Sequence, residues 1–152
     1  GYHFYNDNKA LADSMSKVIG YNFRISNAEF LTITDSKNTT NTLNITVKNT
    51  GVAPCFFDIY MVAEFVDSSG NALEQLGETV AIKKGTFKDE MVKEISFTST
   101  IPARLSNVVQ MPGVFVALSI YESEEAFKVG KNPTVRFDND GILENKKLLL
   151  KE

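Results

Sequence analysis

The sequence predicts an all-β fold built from two antiparallel sheets, with a short helix at the N-terminus. Three observations carry this expectation. Apolar and polar residues alternate with a period of two over many short stretches, as half-buried strands do. Clusters of Gly, Pro, Asp, Asn and Ser punctuate those stretches. The alternation of strands with long helical segments that builds a parallel sheet is missing.

Residues 1–18 differ from the rest and are expected to form a helical lead-in, with the sandwich domain over 19–152. Ala10, Leu11, Met15 and Val18 fall roughly on one helical face. Asp7 or Asn8 can cap that helix, and Gly20 ends it. From Tyr21 the period becomes two. Tyr21, Phe23 and Ile25 alternate with Asn22, Arg24 and Ser26, and the strand is expected to run on through Phe30 to Ile33. Residues 35–41 read as a polar loop. Leu43, Ile45 and Val47 alternate again before Gly51 and Pro54 interrupt the chain.

Residues 55–66 form the longest apolar run. Cys55, Phe57, Ile59, Met61, Ala63 and Phe65 share one face, while Asp58 and Glu64 share the other. One core face and one solvated face are therefore expected, as in an antiparallel sandwich. By the same alternation Tyr60 and Tyr121 are candidates for exposure. Residues 67–71, Asp-Ser-Ser-Gly-Asn, form a turn. Val80 and Ile82 mark a short strand, and Ile95 and Phe97 another that Ile101-Pro102 breaks. Residues 114–121 alternate cleanly and are expected, with 55–66, to be central. Residues 122–131 are polar with room for a helical turn. Val135 and Phe137 mark a short strand, residues 138–141 a turn, and residues 148–150 a closing strand. About seven to nine short strands result, which fits an immunoglobulin-like sandwich.

A chain of 152 residues suits one domain and needs no covalent staple. Net charge is −3 and the lysines are scattered, so nucleic acid is not an expected partner. The single cysteine, Cys55, lies beside Phe56 and Phe57 and is expected to be a buried thiol. No stretch approaches the ~18 apolar residues of a membrane-spanning helix.

The residues for catalysis are sparse. One histidine, His3, and one cysteine cannot build the familiar triads or a zinc site. Gly-rich phosphate loops are missing. Asp58 and Glu64 are expected to be solvated rather than a catalytic carboxylate pair. Residues 138–141, Asp-Asn-Asp-Gly, resemble the start of a calcium loop, but the closing position counted from Asp138 is Leu149, not a glutamate. No catalytic residue, metal ligand or cofactor is therefore expected. Without tryptophan, stacking on sugar rings would rest on tyrosines such as Tyr60.

Three segments carry a resemblance. Lys48-Asn49-Thr50-Gly51-Val52-Ala53-Pro54, leading into Cys55-Phe56-Phe57-Asp58, resembles an N-x-G-x-A-P turn entering an aromatic strand. Asn132-Pro133-Thr134-Val135-Arg136-Phe137-Asp138-Asn139 resembles a late P-x-I-x-x-x-N segment. Ile19-Gly20-Tyr21-Asn22-Phe23-Arg24 is similar to a helix exit entering the first strand. Together they resemble the C-terminal immunoglobulin-like sandwich domains of bacterial glycoside-hydrolase-like barrel proteins, a family of unknown function. The order and spacing agree over most of the chain. Asn49, Gly51, Ala53, Pro54, Pro133 and Asn139 match the motifs and are expected to shape backbone. Glycine permits positive φ, proline fixes φ, and asparagine bonds to nearby main chain. The resemblance implies a non-catalytic accessory module of a carbohydrate-processing protein, in the periplasm or at the cell surface. It would pack against a catalytic barrel of the same protein, bind glycan, or do both. The alternative is a cell-surface domain for protein interaction or adhesion.

Overall fold

The computed structural model describes residues 2–6 as backbone, together with residues 22–50, 58–86, 92–104, 111–133, 135 and 137–150. Among them are β1 (Tyr2–Asn6), β2 (Phe23–Thr34), β3 (Asn38–Asn49), β4 (Ile59–Val66), β5 (Ala72–Ile82), β6 (Val92–Pro102), β7 (Phe115–Tyr121), the short helix α1 (Glu124–Lys128) and β8 (Leu148–Leu150). One sheet runs β1-β2-β3-β6 and the other β5-β4-β7-β8. Every strand pairing is antiparallel.

Period-two alternation gives each sheet one apolar inner face. Phe23, Ile25, Ala28 and Phe30 of β2, Leu43, Ile45 and Val47 of β3, and Ile95 and Phe97 of β6 form one side of the core. Ile59, Met61, Ala63 and Phe65 of β4, with Val116, Leu118 and Ile120 of β7, form the other. Phe30 and Phe65 meet edge to face across the sheets, with ring centroids 6.1 Å apart and planes at 85°. That geometry sets a positive ring edge against a negative ring face. Each fully buried side chain of this kind contributes about 1.5–3 kcal/mol. As expected, β4 and β7 are the two inner strands of their sheet.

Several local expectations need correction. Residues 2–6, placed by the sequence in the helical lead-in, form a strand on the edge of β2, with Tyr2 opposite Phe30 and Asn6 opposite Asn27. The helix expected over 10–18 lies outside the described residues, as do Cys55 and the motif residues Gly51, Ala53 and Pro54. The loop expected over 35–41 is confined to 35–37, because Asn38 pairs with β6 and residues 39–41 pair with both β2 and β6. Asp35 closes that turn. Its Oδ1 accepts the backbone N–H groups of Lys37 and Asn38, both at 2.7 Å, which holds its carboxyl below the ordinary carboxylate value. Ile101 and Pro102 stay in register with Thr39 and Asn38, since a proline is tolerated at the end of an edge strand. Finally, β4 is buried on both faces: Val62, Glu64 and Val66 are as inaccessible as the core residues between them.

The sheets also touch along one side. The β4–β5 register shifts between Met61 and Ala63, where Gly77 sits with φ +69°. Its N–H donates to Ser99 Oγ of β6 at 2.5 Å. A Cβ on Gly77 would lie 2.8 Å from the backbone nitrogen of Thr98 and 3.1 Å from its oxygen. Backbone therefore packs on backbone, and only glycine fits. Gly85 has a similar φ of +80° but open space around it. Gly77→Ala and Gly85→Ala should share the ~1–3 kcal/mol strain of a left-handed non-glycine residue. Gly77→Ala should carry a further loss from the collision. Urea denaturation of both variants checks this, and equal losses would refute the close approach.

Candidate functional site

The late motif residues lie where the chain passes from one sheet to the other. Pro133 is buried. Val135 bridges to Ile120 of β7, and Phe137 bridges in parallel to Phe23 of β2. The Asp138 N–H donates to the Phe23 carbonyl at 2.7 Å. The Asn139 carboxamide then takes both backbone groups of Ile25, accepting its N–H at 2.9 Å and donating Nδ2 to its carbonyl at 3.0 Å. Arg24 Nη1 donates to the Asp138 carbonyl at 2.6 Å. These bonds use the residues 138–141 turn to hold β2. At the same end of the β2–β3 pair, buried Asn49 accepts the Asn22 N–H through Oδ1 at 2.9 Å.

Just past Ile25 the β2–β3 register shifts, with Ile25 opposite Val47 and Asn27 opposite Thr46. The bulge leaves a groove of about 260 Å³ on the outer face of the first sheet, lined by Asn27, Asn44, Thr46, Glu94 and Ser96 over Ile45 and Ile95. It is slightly smaller than the ~300–1,000 Å³ of pockets for drug-sized ligands, so its scale suits one small ring. Ser96 Oγ donates to Asn44 Oδ1 at 2.6 Å. Asn27 Oδ1 is shielded from solvent and has no hydrogen bond among the described residues. It is therefore not a contact atom for a ligand in the groove. Beyond Asn44 the polar face continues as paired threonines, Thr42 with Thr98 and Thr40 with Thr100, each pair at 3.4 Å between hydroxyl oxygens. The sequence signal for this face was the Thr, Asn and Ser placed at alternate positions of β3 and β6. The loop expected over 35–41 obscured its extent.

The second sheet carries a different polar centre. Glu64, expected to be solvated, is buried, and Lys147 Nζ lies 3.1 Å from its Oε1. The contact is coulombic, since Oε1 meets no donor at hydrogen-bonding geometry among the described residues. Tyr121, a candidate for exposure, is buried and stacks at a tilt on Phe127 of α1, centroids 5.4 Å apart. Ser123 caps that helix by accepting the Ala126 N–H at 3.1 Å. Burial raises the Tyr121 phenol above its ordinary value of 10.0, and the Glu64 charge adds to the rise. The nearby Ser119 hydroxyl opposes the rise, although its oxygen makes no properly formed hydrogen bond among the described residues. Asp58, the other carboxylate on this strand's outer side, is only partly buried and accepts the Lys84 N–H at 2.7 Å. Tyr60 is half-buried. No group of three or more metal-ligating side chains occurs among the described residues.

No family model matches this chain, and no curated protein matches it either.

Removing one member of a buried ion pair leaves an uncompensated charge, at a cost of about 3–5 kcal/mol, whereas two apolar replacements of similar volume are often neutral. Lys147→Met should therefore destabilise strongly, and Glu64→Leu with Lys147→Met should recover most of the loss in denaturant titrations. Tyr121 supplies an alkaline test. Its folded pKa lies above the unfolded value, so its contribution is complete below pH 10.0 and is lost as pH rises through the folded value. Tyr121→Phe should make the fall of melting temperature above that pH shallower.

Proposed function

We propose that this chain is a non-catalytic, immunoglobulin-like accessory module of an extracytoplasmic carbohydrate-processing protein, and that the outer face of β2, β3 and β6 receives glycan. The groove beside Asn44, Thr46, Glu94 and Ser96 carries this reading. Its lining offers hydroxyl, carboxamide and carboxylate groups, which exchange hydrogen bonds with sugar hydroxyls. Each such bond replaces one to water, so its net worth is about 0.5–1.5 kcal/mol and the affinity of a small groove is modest. The threonine pairs beyond the groove extend the same chemistry along the strands, as a linear chain of sugars requires.

The immunoglobulin-like assignment draws support from the order β2-β3-β6 against β5-β4-β7-β8, with the chain changing sheets between β3 and β4 and again around β6. The resemblance in the Asn49 and Asn139 segments supplies the carbohydrate context and the expectation of a neighbouring catalytic barrel. The bonds made by both asparagines agree with a framework role for those motifs.

Titration of the isotopically labelled chain with linear neutral oligosaccharides tests the proposal. Amide signals of Asn44, Thr46, Glu94 and Ser96 should shift, no sugar should be released, and Asn44→Ala with Ser96→Ala should weaken binding severalfold. A panel of neutral glycans that leaves these signals unmoved would remove the reading, as would turnover of any member.

A further inference from the structure

We infer that the groove favours uncharged or amine-bearing sugars and disfavours acidic ones, an inference that rests on the glycan reading above. Glu94 lines the groove. Glu29 alternates with the core residues Ala28 and Phe30, so it faces the same outer side, directly opposite Asn44, which is itself opposite Ser96. Neither carboxylate has an ion-pair partner among the described residues. The cations of this face stand to one end, where Arg24 pairs with Lys48 and Lys48 with Val92. Arg24 is already bonded to the Asp138 carbonyl. Lys48 lies one outward position beyond Thr46, about 7 Å along the strand.

The charge nearest a bound ring is therefore the Glu94 carboxylate. A carboxylate accepts two neighbouring hydroxyls of a neutral sugar through its two oxygens, and it accepts an ammonium still better. A uronate or sulfate in the same place would set like charges together, and the neutral hydroxyl and carboxamide groups of the lining do not cancel that repulsion. Selection by such repulsion needs no additional attractive contact.

Three linear oligomers of equal length provide the test: a neutral glucan hexamer, a chitosan hexamer and a galacturonate hexamer. Each is titrated into the chain at low salt and mildly acidic pH, where the chitosan amines are protonated and the galacturonate carboxylates ionised. The galacturonate should bind on the order of tenfold more weakly than the glucan, with the gap narrowing as salt screens the charges. Glu94→Gln should reduce the glucan-to-galacturonate affinity ratio severalfold, and Glu29→Gln should reduce it less. A galacturonate that binds as tightly as the glucan, or a ratio unchanged in Glu94→Gln, overturns the charge selection while leaving glycan binding intact. If none of the three moves the groove signals, glycan binding itself fails and this inference with it.

Discussion

The Asn139 carboxamide stands beside Ile25 as a peptide group of a neighbouring strand would, with one acceptor and one donor in place. Much of the first sheet depends on that substitution. β1 covers the edge of β2 only from Asn27 to Phe30. Below it the backbone of Ile25 and Phe23 would be left without partners, and a buried orphan amide is expensive. Asn139 and Asp138 fill the gap, while Phe137 and Val135 turn into the shared core. One short segment thus completes a sheet edge with its polar atoms and joins two sheets with its apolar ones. The register shift that forms the outer groove lies immediately beyond this anchor.

The two sheets use their outer faces in opposite ways. The outer face of β3 and β6 is lined with Thr, Asn, Ser and Glu that remain accessible or half-buried. The outer face of β4 and β7 is covered, with Val66, Ala117 and Leu149 forming a second small apolar cluster against Phe115 and Leu143. Covering that face strands a polar group within it, and Lys147 supplies the compensating charge to Glu64. Among β3, β4, β6 and β7, the accessible polar side chains therefore lie mainly on the outer face of the first sheet. The contact of Gly77 with Thr98 closes the sandwich along the β5–β6 side.

Much of this was legible in the alternation of side chains. β2, β4 and β7 announce themselves because their inward residues are apolar and bulky. Residues 38–41 do not, since Thr39 and Asn41 point inward yet are polar, so a strand looks like a loop. β1 was hidden for another reason: its partner in β2 lies more than twenty residues away, and local periodicity favours no pairing at that distance. Glu64 shows a third limit. Its strand says correctly that it points away from the core, but the covering comes from residues near α1 and from Lys147, far along the chain. The Asn139 motif was visible as a motif, while its partner Ile25 was not. The groove follows from a bulge that has no sequence signature of its own.

Lys147 lies just before β8, far along the chain from Glu64, yet its charge answers a carboxylate on an inner strand. An incomplete copy that stops short of Lys147 would keep most of its core and all of β1 to β7. It would also hold the Glu64 charge out of water without the cation that answers it. Such a copy has strong reason to stay open until the segment before β8 docks. The pair thus ties commitment to the folded state to the placing of a segment distant in sequence from β4.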